Sequence, residues 1–434
     1  MRKIRYEQID ETLYSEVLDN GLKVFVLPKP DFHKTYGLFS TNYGSIDNEF
    51  GYTKDTIQKV PDGIAHFLEH KMFEKEAGDV FQVFGKNGAS ANAFTSFTRT
   101  SYLFSATDKI KENLLTLVDF VQDPYFTKMT VEKEKGIIGQ EIQMYQDDPD
   151  WRLFFGLLQN LYPDHPLHID IAGTVESIAE ITAEDLYHCY HTFYHPSNMT
   201  LFVVGNVDPK EVLSWIKDNQ NPKEFAPIRD IIRHFPSEEK TTIKKTGRLQ
   251  MAVQRPKAVV GVKGLQKDLP KDNRELLQFK MATSLLLQLL LGNTSKNYLR
   301  LYNDGVLDDS FGYEFSMDRG FHFADFSGDT DEPERFLEAI KEVLLNFSKD
   351  PGINENSLNL LKKKMLGKYF QSLNSLEYIA NQFTQGLFGE WTLFDLPEVI
   401  SSIQLKDVLK AGDQLIKEEK ISSFFIEPLK RKES

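Results

Sequence analysis

The chain has 434 residues, more than one ordinary core needs and enough for two domains of roughly 200 residues. A formal net charge of −13 and a pI near 5.4 work against non-specific binding to nucleic acid or anionic membranes, since both require a positive field. A single cysteine, Cys189, excludes an intramolecular disulfide and any thiolate zinc cluster, and points to a reducing, cytoplasmic setting.

The N-terminus, MRKIRYEQIDETLY, is charged throughout and lacks the apolar stretch of a secretory signal. Residues 13–18 and 22–27 predict strands joined at Asp19-Asn20-Gly21, a hairpin turn signal. A third strand is expected at 35–43. Pro61-Asp62-Gly63 then opens GIAHFLEHKMF, where Ile64, Phe67, Leu68 and Met72 form the apolar stripe of a helix. A short helix at 80–84 and alternating strands at 90–97 and 100–106 follow. Helices are expected at 108–121 and 130–145, then a strand at 199–205 and a helix at 209–219.

Residues 221–240, rich in proline and charge without periodicity, mark a boundary. The expected division is a first domain at 1–222, a linker at 223–240 and a second domain at 241–434. The second half repeats the element order of the first. FADFSGDTDEPERFLEAIKEVLLNF, from Phe323, mirrors YLFSATDKIKENLLTLVDFV, from Tyr102, as strand, turn and amphipathic helix. SLNLLKKKMLGKYF, from Ser357, likewise mirrors TVEKEKGIIGQEI. Leu285 to Leu291 (LLLQLLL) is too short to span a bilayer and reads as a buried helix. Lys430, Arg431 and Lys432 read as a solvated tail. Two related α+β halves are the simplest reading.

The chemistry belongs to the first half. His66 and His70, four residues apart on a helix, direct two imidazoles to one point. Glu69 projects near the same centre. A catalytic zinc site needs three protein ligands, an open position and a base; HxxEH, the inverzincin motif, supplies two ligands and the base. Glu134 and Glu141 lie two turns apart on the 130–145 helix; Glu141 is the candidate third ligand and Glu134 the candidate group that orients a ligand. His188, His191 and His195 also share a helical face, but Pro196 ends that helix and they read as structural, as does Cys189.

With these residues in place, the sequence resembles the pitrilysin, insulinase and mitochondrial-processing-peptidase family of zinc metallopeptidases, in its half-size bacterial form. GIAHFLEHKMFEK is similar to the family's metal helix, GASANAFTSFTRTSYLF to its substrate-binding edge strand, EKEKGIIGQEIQMYQDDP to the helix of the last ligand, and YHPSNMTLFVVGNVDP to a late segment. The resemblance implies one Zn2+ held by His66, His70 and Glu141, with Glu69 as general base and Glu134 in support. Asn92 and Ala93 fall where the family holds the backbone of an extended peptide. The implied fold is two pseudo-symmetric α+β domains, each a mostly antiparallel sheet with helices packed on one face. Alternative roles are a dedicated maturation protease for a modified or secreted peptide, and a non-catalytic core subunit.

One family feature is missing. Around Gly305, the positions of a substrate-holding Arg and Tyr are taken by Leu301 and Asp308; Arg300 and Tyr313 are out of register. The resemblance therefore implies a two-chain chamber, in which a homologous half-size subunit supplies that pair, as a heterodimer or a homodimer.

Overall fold

The computed structural model describes residues 1–236, 242–388 and 391–429. The expected basic tail at 430–432, and part of the expected linker, lie outside the described residues. Two large sheets carry the fold, each in its own compact unit.

The first sheet has seven strands: β1 (Arg2–Tyr6), β2 (Glu11–Val17), β3 (Lys23–Pro28), β4 (Thr35–Thr41), β5 (Ser90–Thr95), β6 (Thr100–Ala106) and β7 (Met199–Gly205). Their order is β1-β2-β3-β7-β4-β6-β5, with β3 and β7 parallel and every other pair antiparallel. The expected strands fall close to these spans. Strand β1 is an addition to the expected set: RKIRY is an edge strand with three basic residues, and only Ile4 and Tyr6, on one face, are half-buried, Tyr6 against Phe394.

Helix α1 (Ile64–Lys71) lies between β4 and β5 in the chain, and α2 (Ile110–Val121), α3 (Lys128–Asp147) and α4 (Pro149–Leu161) follow β6. Strands β4 and β7 are buried at every residue, so both faces of the sheet must be covered. The two-residue strand period shows how. Tyr102, Phe39 and Leu201 are neighbours across β6, β4 and β7, and the Tyr102 ring meets Phe120 of α2 with centroids 5.6 Å apart. Phe202, Leu38 and Phe25 form the opposite face.

The second sheet has five strands: β8 (Thr246–Met251), β9 (Lys257–Lys263), β10 (Gly312–Asp318), β11 (Phe321–Asp329) and β12 (Ile421–Pro428). Its order, β8-β12-β9-β11-β10, reproduces β3-β7-β4-β6-β5 pair for pair, including one parallel pair, β8 with β12. The expected repeat is thus a repeat of topology. The four longest helices after the linker are α5 (Asn273–Leu291), α6 (Pro333–Leu345), α7 (Glu355–Ser372) and α8 (Leu376–Phe388). The LLLQLLL run ends α5, and six of its seven residues belong to the core of this unit, packed with Val260, Val262 and Phe326. No helix among the described residues is long and apolar enough to cross a membrane.

The compact units do not follow the chain in simple halves. Helix α3 leads into α4, as its counterpart α7 leads into α8, and these trailing helices are exchanged. Residues 143–169 belong to the unit of the second sheet, and 370–394 to that of the first. Gly156 of α4 lies against the Phe424 ring, which a Cβ would approach to 2.6 Å. Phe383 of α8 packs on Phe25 and Phe202, with centroids 5.1 and 4.6 Å apart, closing the face opposite α2. Phe383 is fully buried, so Phe383→Ala is expected to cost about 3–5 kcal/mol in chemical denaturation. An unchanged midpoint would show that α8 does not hold this sheet.

Candidate metal centre

Helix α1 begins at Gly63, whose φ is +88° and whose Cβ would come within 2.4 Å of the Ala172 carbonyl oxygen. Only glycine fits a left-handed turn this close to another backbone. The turn seats α1 with Ile64, Phe67 and Leu68 buried and His66 and Glu69 almost so, at 8% and 7% exposure.

From α3, Glu141 faces both histidines. His66 Nε2 lies 3.6 Å from Glu141 Oε1, and His70 Nε2 lies 3.6 Å from Glu141 Oε2. These separations are long for hydrogen bonds. They suit a shared ion: tetrahedral ligands at ~2.0–2.1 Å from a metal stand ~3.4 Å from one another. Ligand atoms of His66, His70 and Glu141 all lie within 4.8 Å of one another. Among the described residues, no other group of three His, Cys, Asp or Glu side chains is so arranged. Two imidazoles and a carboxylate suit zinc or another divalent ion.

One turn-pair earlier on α3, Glu134 Oε1 lies 3.1 Å from His70 Nδ1, the arrangement that sets a liganding imidazole's tautomer and orientation. Burial opposes charge on the His70 ring, but the Glu134 bond and the nearby Glu69 and Glu141 outweigh it and raise the ring's proton affinity. Burial also pushes the Glu69 carboxyl above its usual range, against the pull of His66, a hydrogen bond from Thr95 and His70. A buried carboxylate with raised proton affinity is suited to take a proton.

The sequence did not single out Thr95, whose hydroxyl donates to Glu69 Oε2 at 2.5 Å. Its only local signal is its place two residues after Ala93 in the expected strand. Behind the site, the Tyr102 and Tyr194 hydroxyls pair at 2.7 Å. Burial holds both far above the ordinary tyrosine range, so they stay neutral.

Asn92 and Ala93 stand on β5, the edge of the first sheet. Ser96 N donates to Arg99 O at 2.7 Å, and antiparallel alternation from that pair turns the main-chain groups of Ala93 and Thr95 away from β6. The Ala93 N–H is met by its neighbour's side chain, Asn92 Oδ1, at 2.9 Å.

The remaining candidates are dispersed. The His188 ring stacks on Phe50, His191 on Tyr187, and His195 bonds Ser197 and the Ala226 carbonyl. Cys189 is buried, and burial pushes its thiol up to about 12. In the second unit, Leu301 is a core residue, and Asp308 Oδ2 accepts from Arg255 Nη1 at 2.8 Å. Arg300 is exposed, and Tyr313 is half-buried beside Phe326.

Residues 58–175 match the family model described as Insulinase (Peptidase family M16), and residues 180–365 match the one described as Peptidase M16 inactive domain. The Bacillus subtilis (strain 168) protein "Uncharacterized zinc protease YmfH" is 52% identical over 409 residues, covering 94% of this chain and 95% of its own. A crystal structure described as a "putative M16-like peptidase from Alicyclobacillus acidocaldarius" superimposes with TM-score 0.91 at 36% identity, over 96% of this chain and 99% of that one. The periplasmic protease PqqL of Escherichia coli shares the fold, with TM-score 0.69 at 19% identity; 99% of this chain corresponds to 48% of PqqL.

Replacing Glu134 with Gln keeps the side chain's size and removes its charge beside His70. Zinc affinity should then fall about 10- to 100-fold in competition with a chromogenic chelator. Unchanged affinity would show that Glu134 does not support the ligand set.

Proposed function

Because this chain belongs to the insulinase family, peptidase family M16, we propose that it is a zinc-dependent endopeptidase whose single metal site is formed by His66, His70 and Glu141. The observation that carries the reading is the convergence of those three side chains from α1 and α3 within 4.8 Å. The fit extends to the neighbouring groups, with Glu69 almost fully buried on the same helix and Glu134 at His70.

When bound, zinc supplies Lewis acidity and lowers the pKa of water toward ~7. The chain's own residues do the rest. Glu69 accepts a proton from the attacking water and returns it to the leaving amine. An extended peptide adds to β5 by main-chain hydrogen bonds at Ala93 and Thr95, displacing the Asn92 side chain from the Ala93 N–H. Pairing of this kind requires an unfolded segment, so folded proteins should be poor substrates.

The chain also corresponds to only half of PqqL, and Leu301 and Asp308 occupy the places where the family resemblance puts a substrate-holding Arg and Tyr. These two facts support action as the metal-bearing member of a pair with a second, homologous half-size chain. The single cysteine, buried and without a disulfide, favours a cytoplasmic place of action.

Glu69→Gln is expected to lower peptide hydrolysis by about 10²- to 10⁴-fold while the protein keeps its zinc, as read by peptide mass spectrometry and metal analysis. Full activity in that variant would refute the mechanism. Full activity of the purified chain as a monomer would instead refute the need for a partner.

A further inference from the structure

Edge strand β5 ends at Thr95, and the register places Thr95 opposite Thr100, on the face shared with Tyr102. Helix α1 packs against β5, so the Thr95 side chain meets Glu69 while the alternation turns its main-chain groups to the free edge. The 2.5 Å contact from Thr95 Oγ1 to Glu69 Oε2 has the length of a charge-assisted O–H···O⁻ bond. A threonine hydroxyl has one proton to give. The competing acceptor, Thr100 Oγ1, is 3.4 Å away, and the Thr100 hydroxyl is itself committed to the Tyr43 carbonyl at 2.9 Å. Glu69 is 7% exposed, so little water is present to replace the bond, which is stronger for being shielded.

We propose that Thr95 is a positioning residue: it fixes the Glu69 carboxylate and couples it to the strand that receives the peptide. This rests on the peptidase reading given above. With Oε2 held by the hydroxyl, Oε1 is the oxygen left to exchange a proton. The same residue faces the substrate with its backbone and the base with its side chain. A peptide paired along β5 therefore immobilises Thr95, and with it the orientation of Glu69. Glu69 is best aligned when the edge is occupied.

The test compares the zinc-loaded full-length chain, with its partner chain where activity requires one, as wild type, Thr95→Val and Thr95→Ser. Thr95→Val removes the donor at nearly constant volume. It should lower kcat about 10- to 100-fold, the effect of losing a hydrogen bond to a charged group, and leave KM and zinc content unchanged. Thr95→Ser keeps the donor and should restore most of kcat. If Thr95→Val does not fold, Thr95→Ala takes its place in the comparison.

A readout independent of turnover is the crystal structure of the metal-free protein, where Glu69 should occupy one rotamer in the wild type and more than one in Thr95→Val. Wild-type kcat in Thr95→Val, a loss confined to KM, or a Thr95→Ser variant as impaired as Thr95→Val would overturn the positioning role. A wild-type protein that cleaves no peptide would instead defeat the peptidase reading; the Glu69 rotamers then decide the role of Thr95 by themselves.

Discussion

Three carboxylates, Glu69, Glu134 and Glu141, share one largely buried site with two imidazoles. Water solvates such a group of charges poorly there, and a buried carboxylate without compensation is costly. Neutral imidazoles do not balance three negative charges. Two protonated ones would offset two of the three, and although burial opposes charge on the His70 ring, Glu134, Glu69 and Glu141 raise its proton affinity. A divalent cation would supply the same two charges at once, at the point where both Nε2 atoms and Glu141 converge. The surrounding fold can be read as what is needed to hold these side chains within reach of one another.

Two helices do the holding, by different means. Helix α1 is short and fixed at its start, where Gly63 lies against the Ala172 backbone and leaves no room for another residue type. Helix α3 is long, and only its inner face is buried, at Thr130, Val131, Ile138 and Ile142. Those positions set its rotation, and the rotation turns Glu134 and Glu141, seven residues apart, to His70 and to both imidazoles respectively. The site's geometry is therefore decided by apolar packing on the neighbouring side of the same helix.

What the sequence made legible follows from what is local. His66, Glu69 and His70 fall within five consecutive residues, and Glu134 and Glu141 within two turns, so helical periodicity alone aligns each set. Sequence spacing does not bring the sets together; only the family resemblance implies it, and in the fold Glu141 stands 3.6 Å from each imidazole. The repeat was visible as an order of elements because strand and helix patterns survive when residue identities diverge. Three features left no such trace. RKIRY is too short and too basic to read as a strand, with only Ile4 and Tyr6 half-buried on one face. The exchange of α4 and α8 depends on which sheet each helix packs against, and Gly156 and Phe383 look like ordinary helix residues in the sequence. Thr95 reads as one more β-branched strand residue until α1 is seen beside it.

The two sheets share one topology but carry different cargo, which separates what the fold requires from what the chemistry requires. In the second sheet, strand β10 is an outer edge as β5 is in the first, yet α5 is a long apolar core helix with nothing like HFLEH. Leu301 has become part of that core, and Asp308 is paired with Arg255. An open edge is a liability because it invites pairing with any extended chain. In the first sheet that liability lies beside α1, with Asn92 covering the Ala93 N–H from its own strand. A cover made by one side chain is readily exchanged for a peptide backbone, whereas a paired strand would not be. The edge is thus protected while empty, and the strand that carries it ends in the hydroxyl bonded to Glu69.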